Sequence, residues 1–200
     1  MKILFLGGNM SKSLVEWLEA QDERICYFED KISMGFLKRV KPEFIISYNY
    51  KYIIQQEIID FVKSKAINLH ISYLPFNKGF HPNVWSFLED TPKGVTIHYI
   101  DAGIDTGDII IQKKVFIDEE KETLKSSYHI LHKAIQSLFK ENWKSIKEFK
   151  IKPQTQTGVG GIHFSKEIIR FQPFIKEKGW NTSIREIKEQ YNKSLGSKSR

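Results

Sequence analysis

The chain has 200 residues, 40% of them apolar and 13% aromatic, with a formal net charge of +7. That length suits one domain, or one domain with a short appendage, and that composition excludes a disordered chain. The lone Cys26 excludes an internal disulfide, no Cys/His spacing matches a structural zinc site, and no run of about 18 apolar residues is present to span a membrane.

The first elements alternate between strand and helix. Lys2 to Leu6 is a short apolar strand closed by Gly7-Gly8. Ser13 stands three residues before Glu16, which predicts a capping box, and Leu14 and Leu18 supply an apolar helical stripe. Arg24 to Phe28 and Phe44 to Ser47 read as the next strands. Residues 55–65 read as a helix on Ile58, Ile59 and Val62, and Ala66 to His70 as a fourth strand. Such alternation predicts an α/β fold: a Rossmann-like core with a mostly parallel sheet flanked by helices.

After His70 the texture changes. Residues 73–83 carry Pro75, Gly79 and Pro82 and read as a long ordered loop, with a short helix beginning near Trp85. Residues 94–100 and 109–115 read as an antiparallel pair around the polar loop 101–108. Residues 123–143 form the longest predicted helix, on Leu124, Tyr128, Leu131, Ile135, Leu138 and Phe139. Residues 153–161 read as loop and His163-Phe164 as a short strand. Thr182 or Ser183 is the expected cap of a last helix, and the end from Leu195 onward is expected to fray. The predicted division is a core over 1–152 and a short basic extension over 153–200.

Charge is uneven. Residues 1–139 hold 17 Lys/Arg against 18 Asp/Glu, whereas residues 140–200 hold 14 against 6. A surplus of this kind attracts polyanions or serves as a solvated surface; composition leaves both open. The opening MKILFLGGNM is too short for a secretory apolar region. A reducing, cytoplasmic location is therefore the expectation.

Three features carry chemistry. Asn68 and His70 lie two apart on a strand, so they share a face at the carboxyl end of a predicted parallel strand, where open α/β sheets place their sites. An imidazole is a natural general base, and an amide beside it can donate to a developing oxyanion. A buried, satisfied polar pair is the other reading. Asp101-Ala-Gly-Ile-Asp105-Thr-Gly-Asp108 lacks the EF-hand pattern. It reads either as an acidic turn or as a tight loop that aims a carboxylate at His70. The loop 74–85, with Asn77, Lys78, His81 and Trp85, is rich in groups that contact small molecules. His98 reads as an ordinary strand residue. His129 and His132 read as surface or edge residues. Gly7-Gly8 lacks the third glycine of a dinucleotide fingerprint and reads as a structural turn.

Asn68-Leu-His70-Ile-Ser-Tyr-Leu74-Pro75, then Gly79 and Pro82, then Gly94-Val-Thr-Ile-His98, then Asp101-x-Gly103-x-Asp105-Thr-Gly107-Asp108-Ile109 resemble the N10-formyltetrahydrofolate-dependent formyltransferase superfamily, over residues 1–117. The resemblance implies a catalytic trio of Asn68, His70 and Asp105. It implies a pterin pocket lined by Ser47, Tyr48, Asn49, Tyr50, Lys51, Tyr52, Asp101, Gly103 and Ile104. N10-formyltetrahydrofolate is the implied co-substrate, and no metal is implied. An acceptor amine attacks the formyl carbon, Asn68 and His70 steady the oxyanion, and Asp105 partners His70; one lost oxyanion donor costs about 10²–10³ in rate.

Among acceptors, the loop 74–85 and the segment from Gln156 to Phe164 resemble sugar N-formyltransferases most. That implies a nucleotide-linked amino sugar, a dTDP-4-amino-4,6-dideoxyhexose, made for surface polysaccharide such as O-antigen. Asn9, Met10, Ser11, Asn77, Lys78, Phe80, His81, Pro82 and Trp85 are the substrate contacts this implies. Three alternatives stand beside it. Phosphoribosylglycinamide formyltransferase has a different loop after the first strand. The second is a truncated Met-tRNA formyltransferase-like protein, since that enzyme's C-terminal barrel does not fit in the 85 residues after Val115. A non-catalytic folate or nucleotide-sugar binding module is the third. No nucleic-acid or membrane partner is expected, and the apolar residues past 160 are expected to pack on the core or in a homodimer.

Overall fold

The computed structural model describes residues 1–196, the side chain of Asn9 excepted. The first half builds β1 (Lys2–Gly7), α1 (Lys12–Glu19), β2 (Arg24–Phe28), α2 (Met34–Val40), β3 (Phe44–Tyr48), α3 (Gln56–Phe61) and β4 (Ala66–His70). There follow β5 (Lys78–Gly79), α4 (Pro82–Leu88), β6 (Gly94–Tyr99), β7 (Ile109–Lys114), α5 (Leu124–Lys147), β8 (Ile162–His163) and α6 (Ile184–Gly196). A six-stranded sheet has the order β2-β1-β3-β4-β6-β7. The pairs β1–β2, β1–β3 and β3–β4 are parallel, and β4–β6 is antiparallel. The expected α/β class with a mostly parallel sheet is the one observed. Residues 94–115 pair back on themselves as expected: the Tyr99 amide donates to the Asp108 carbonyl and the Val115 amide to that of Lys93.

Chain segments Met1–His70, Thr96–Ile111 and Ile135–Gln156 form one compact unit; Ile71–Val95, Gln112–Ala134 and the chain from Thr157 onward form a second. In the first unit every residue of β3, and of β1 from Ile3, is buried without alternation. Strands covered on both faces give that pattern. Leu4, Leu6 and Ile45 pack with Ile32, Leu37, Ile54, Ile58 and Ile59. Phe44 meets Trp143 of α5 edge-on at 5.7 Å, and Phe139 meets Trp17 of α1 at 6.2 Å. In the second unit β5 and β8 pair in parallel. Trp85 of α4 lies fully buried, stacked on His163 at 4.1 Å and 7°, with the Arg170 guanidinium 4.9 Å above the ring. Gly79, at φ +84°, is required there, because a Cβ on it would lie 2.3 Å from the His163 carbonyl oxygen.

Several local expectations are corrected. Ser13 is not the cap of α1; the helix starts at Lys12, and Ser13 Oγ instead donates to Gln136 Oε1 at 3.3 Å. Helix α2 has no counterpart in the sequence reading. It is two turns long, contains Gly35 and is ended by Lys41 in the left-handed region, not by a glycine, so its periodic signal is weak. Ser33 caps it through the Phe36 amide. Helix α3 is shorter than 55–65 because Lys63 and Ser64, at φ 52° and 60°, end it. Ser183, of the two candidates, caps α6, accepting from the Glu186 amide at 3.2 Å. Of the expected frayed end, residues 197–200 lie outside the described residues. Part of the C-terminal basic surplus is met by acids from elsewhere in the chain, through Lys147–Glu23, Arg185–Glu120 and Lys188–Glu119. Among the described residues no helix is long and apolar enough to cross a membrane.

His132 is also corrected: it is 3% exposed, with its ring 4.1 Å from that of Tyr128. Burial, reinforced by His129, pushes its imidazole down to about 4. The unfolded chain takes up this proton near pH 6.5 and the folded chain only near 4. Stability contributed by the neutral ring is therefore present above pH 6.5 and is lost as pH falls toward 4, by up to about 3 kcal/mol. Urea unfolding of His132→Phe at pH 7 and pH 5 is expected to show a smaller acid loss than the parent; equal losses contradict the assignment.

Candidate active site

Antiparallel register places Asn68 of β4 opposite His98 of β6, and His70 opposite Thr96. Side chains at i and i+2 share a face, and directly opposed residues share it too. Asn68, His70, Thr96 and His98 therefore project from one face of the sheet. The loop after β6 returns to that face and delivers Asp105 among them. Asn68 Nδ2 donates to Asp105 Oδ1 at 2.9 Å. His98 Nε2 lies 3.3 Å from the same oxygen and 3.3 Å from Asn68 Nδ2. His70 Nδ1 lies 3.6 Å from Asp105 Oδ2. His98 Nδ1 lies 2.7 Å from the Tyr99 carbonyl oxygen, an acceptor, which makes Nδ1 the protonated nitrogen. His70 and His98 are 7% and 2% exposed, so this carboxylate and its partners sit in poorly solvated surroundings. There a fixed donor is worth more than in water.

The three residues implied by the resemblance, Asn68, His70 and Asp105, are thus brought together. His98 was missed, because its place opposite Asn68 depends on a pairing register invisible in one sequence. Gln156 was missed as well: its Nε2 donates to the carbonyls of Asp105 and Gly107, both at 2.8 Å.

The loop itself is tightly folded. Asp101 Oδ1 accepts from Gly103 N at 3.1 Å and from Thr106 Oγ1 at 2.6 Å. A Cβ on Gly107 would lie 1.9 Å from the Tyr99 carbonyl oxygen. Its glycine is a matter of close approach, since no positive φ is involved.

Ser47 and Tyr48 are buried in β3. Tyr48 OH accepts from Gln136 Nε2 at 3.2 Å, and its carbonyl accepts from Ser11 Oγ at 3.2 Å. Asn49 turns at φ 56°. Tyr50 donates to the Asp30 carbonyl and stands edge-on to Tyr52 at 5.4 Å; burial pushes its phenol up. Lys51 reaches over the Tyr52 ring. Asn49, Lys51 and Asp101 to Gly103 are exposed, and Ile104 is half-buried. Met10 accepts from Gln136 through its carbonyl. Ser11 is fully buried, and the Asn9 side chain lies outside the described residues.

In the second unit Asn77, Pro82 and Trp85 are buried; Asn77 donates to Glu89 and accepts from Thr91. Lys78 and His81 are half-buried, and Phe80 is 42% exposed. The His81 ring faces Trp180 at 5.9 Å, and burial pushes its imidazole down. No cluster of three metal-ligating side chains occurs among the described residues.

A family profile described as formyl transferase matches residues 27–142, more than half of the chain. The chain belongs to the formyl transferase family. This formyl transferase is 43% identical to the formyltransferase PseJ from Anoxybacillus kamchatkensis, solved in complex with UDP-4,6-dideoxy-4-formamido-L-AltNAc and tetrahydrofolate. That match has a TM-score of 0.87 and covers 94% of this chain and 97% of the other. A sugar N-formyltransferase from Shewanella shares the fold at 21% identity and a TM-score of 0.75, over 87% of this chain and 79% of the other. Methionyl-tRNA formyltransferase from Thermodesulfovibrio yellowstonii is 32% identical over 173 residues, 82% of this chain and 52% of the relative. The chain spans about half the length of the curated relatives it matches.

Replacing Gly107 by Ala is expected to force the loop off the Tyr99 carbonyl. Amide exchange of Tyr99, whose N–H is bonded to the Asp108 carbonyl, should then quicken about fivefold or more, given that a lost hydrogen bond is worth on the order of 1 kcal/mol. Unchanged exchange contradicts the close-approach reading.

Proposed function

We propose that this formyl transferase carries the formyl group of N10-formyltetrahydrofolate to the 4-amine of a UDP-linked 4-amino-4,6-dideoxy sugar. One observation carries the chemistry: Asn68, His70 and His98 converge on the single carboxylate of Asp105. In this reading the sugar amine attacks the formyl carbon and the carbonyl opens to an oxyanion. An Asn68 amide hydrogen, turned from His98 Nε2, donates to that oxygen, and His70 donates to it once protonated. His70, partnered by Asp105, takes the proton that the amine sheds. Collapse breaks the bond from the formyl carbon to N10, the proton passes to N10, and tetrahydrofolate leaves beside the formamide. The residues Asn49, Lys51 and Asp101 to Gly103 are exposed, where a pterin edge could reach their polar groups. Tyr50 and Tyr52 add flat apolar surface.

The choice of acceptor rests on the likeness to PseJ across nearly its whole length. For the same reason UDP replaces the dTDP expected from sequence. Lys78, Phe80 and His81, part-exposed in the second unit, remain the sugar-nucleotide contacts in this reading. Initiator Met-tRNA is the second reading, favoured by the curated relatives.

The test supplies N10-formyltetrahydrofolate with UDP- and dTDP-linked 4-amino sugars, glycinamide ribonucleotide and Met-tRNA. Release of tetrahydrofolate and a mass gain of one formyl group are the readouts. Formylation of the UDP sugar is expected, with kcat falling about 10²–10³-fold in His70→Ala. Formylation of Met-tRNA alone overturns the acceptor and keeps the chemistry.

A further inference from the structure

Asp105 sits in the left-handed region at φ 52°, where a residue with a side chain is held only by its surroundings. The aim of its carboxylate depends on that backbone conformation. Gln156, 51 residues away, grips it. Both hydrogens of one amide nitrogen are spent, one on the Asp105 carbonyl and one on that of Gly107. The reverse orientation would face an amide oxygen against two carbonyl oxygens, so the donors set the sense of the side chain. The amide oxygen left over is buried and accepts no hydrogen bond among the described residues. An acceptor is thus left unmet so that two donations can be made to one loop. Gln156 can reach the loop because Gln154 and Ile109 exchange both backbone hydrogen bonds, at 2.8 Å each, which ties this segment beside β7.

We infer that Gln156 is a positioning residue: through two main-chain carbonyls it sets the Asp105 carboxylate against Asn68, His98 and His70. The inference rests on the formyl-transfer reading for its effect on rate, and on geometry alone for its effect on the loop. Gln156→Met keeps the length of the side chain and removes both donors. With acceptor and folate supplied, kcat is expected to fall about 10- to 100-fold, as misplacement of a reacting group by about 1 Å does, while both KM values stay within about twofold. A raised KM with kcat kept overturns the inference.

A second measurement needs no substrate. The His70 imidazole is titrated by nuclear magnetic resonance in the parent, in Asp105→Asn and in Gln156→Met. A carboxylate moved away from the ring shifts its midpoint. The Gln156→Met midpoint is expected to lie between the parent's and that of Asp105→Asn, and a midpoint equal to the parent's overturns the inference. Should every acceptor fail while that shift is seen, the formyl-transfer reading falls and the clamp stands. If Gln156→Met does not fold, hydrogen exchange of the Gln156 side-chain amide in the parent decides. Slow exchange supports the clamp, and exchange at the rate of a free amide overturns it.

Discussion

The antiparallel seating of β6 against β4 is the constraint on which the candidate site depends. Parallel strands alone would bring Asn68 and His70 to this face, with Ser47 of β3 beside Asn68. Turning β6 round sets His98 opposite Asn68, and it also sends the following loop back toward the same face. Asp105 then has a place to arrive. Slipping the register by one residue would turn His98 to the other face and put Ile97 or Tyr99 opposite Asn68. The buried neighbours Val95 and Ile97 resist that slip, since both would lose their side of the core.

The loop from Asp101 to Asp108 shows how a polar segment is made rigid without a core of its own. Asp101 caps it internally through Gly103 and Thr106, Gly107 lets it lie against the Tyr99 carbonyl, and Gln156 grips it from outside. Each contact spends a hydrogen bond or a missing Cβ on holding one carboxylate. Such pre-organisation suits a site whose chemistry is proton movement and oxyanion stabilisation, where a donor misplaced by an ångström forfeits most of its effect. The second unit is organised differently, around the buried Trp85 ring held between His163 and Arg170. Asn77 and Trp85, which lie in the part of the sequence richest in ligand-contacting residue types, hold its interior.

Much of the fold was legible from short-range pattern. Four strands of the first half, the long helix α5 and the Ser183 cap follow from apolar runs, three-to-four spacing and capping chemistry. These signals are local, and the same residues carry them in any context. Helix α2 was illegible because its stop is Lys41 in a left-handed conformation, which any glycine-based rule overlooks. Helical spacing alone does not say how wide the buried stripe of α5 is: His132, one turn beyond Tyr128 and beside Leu131, is buried with them.

Sequence by itself determined the fold class, through the alternation of strand and helix periodicity, while its resemblance to the formyltransferase superfamily singled out Asn68, His70 and Asp105. Only the tertiary structure decided that His98 and Gln156 complete the surroundings of Asp105. His98 enters by a pairing register between strands 30 residues apart, and Gln156 by a chain return of 51 residues. Both are long-range consequences of how the strands pair, and no local pattern of residue types encodes which backbone carbonyl a distant amide will meet.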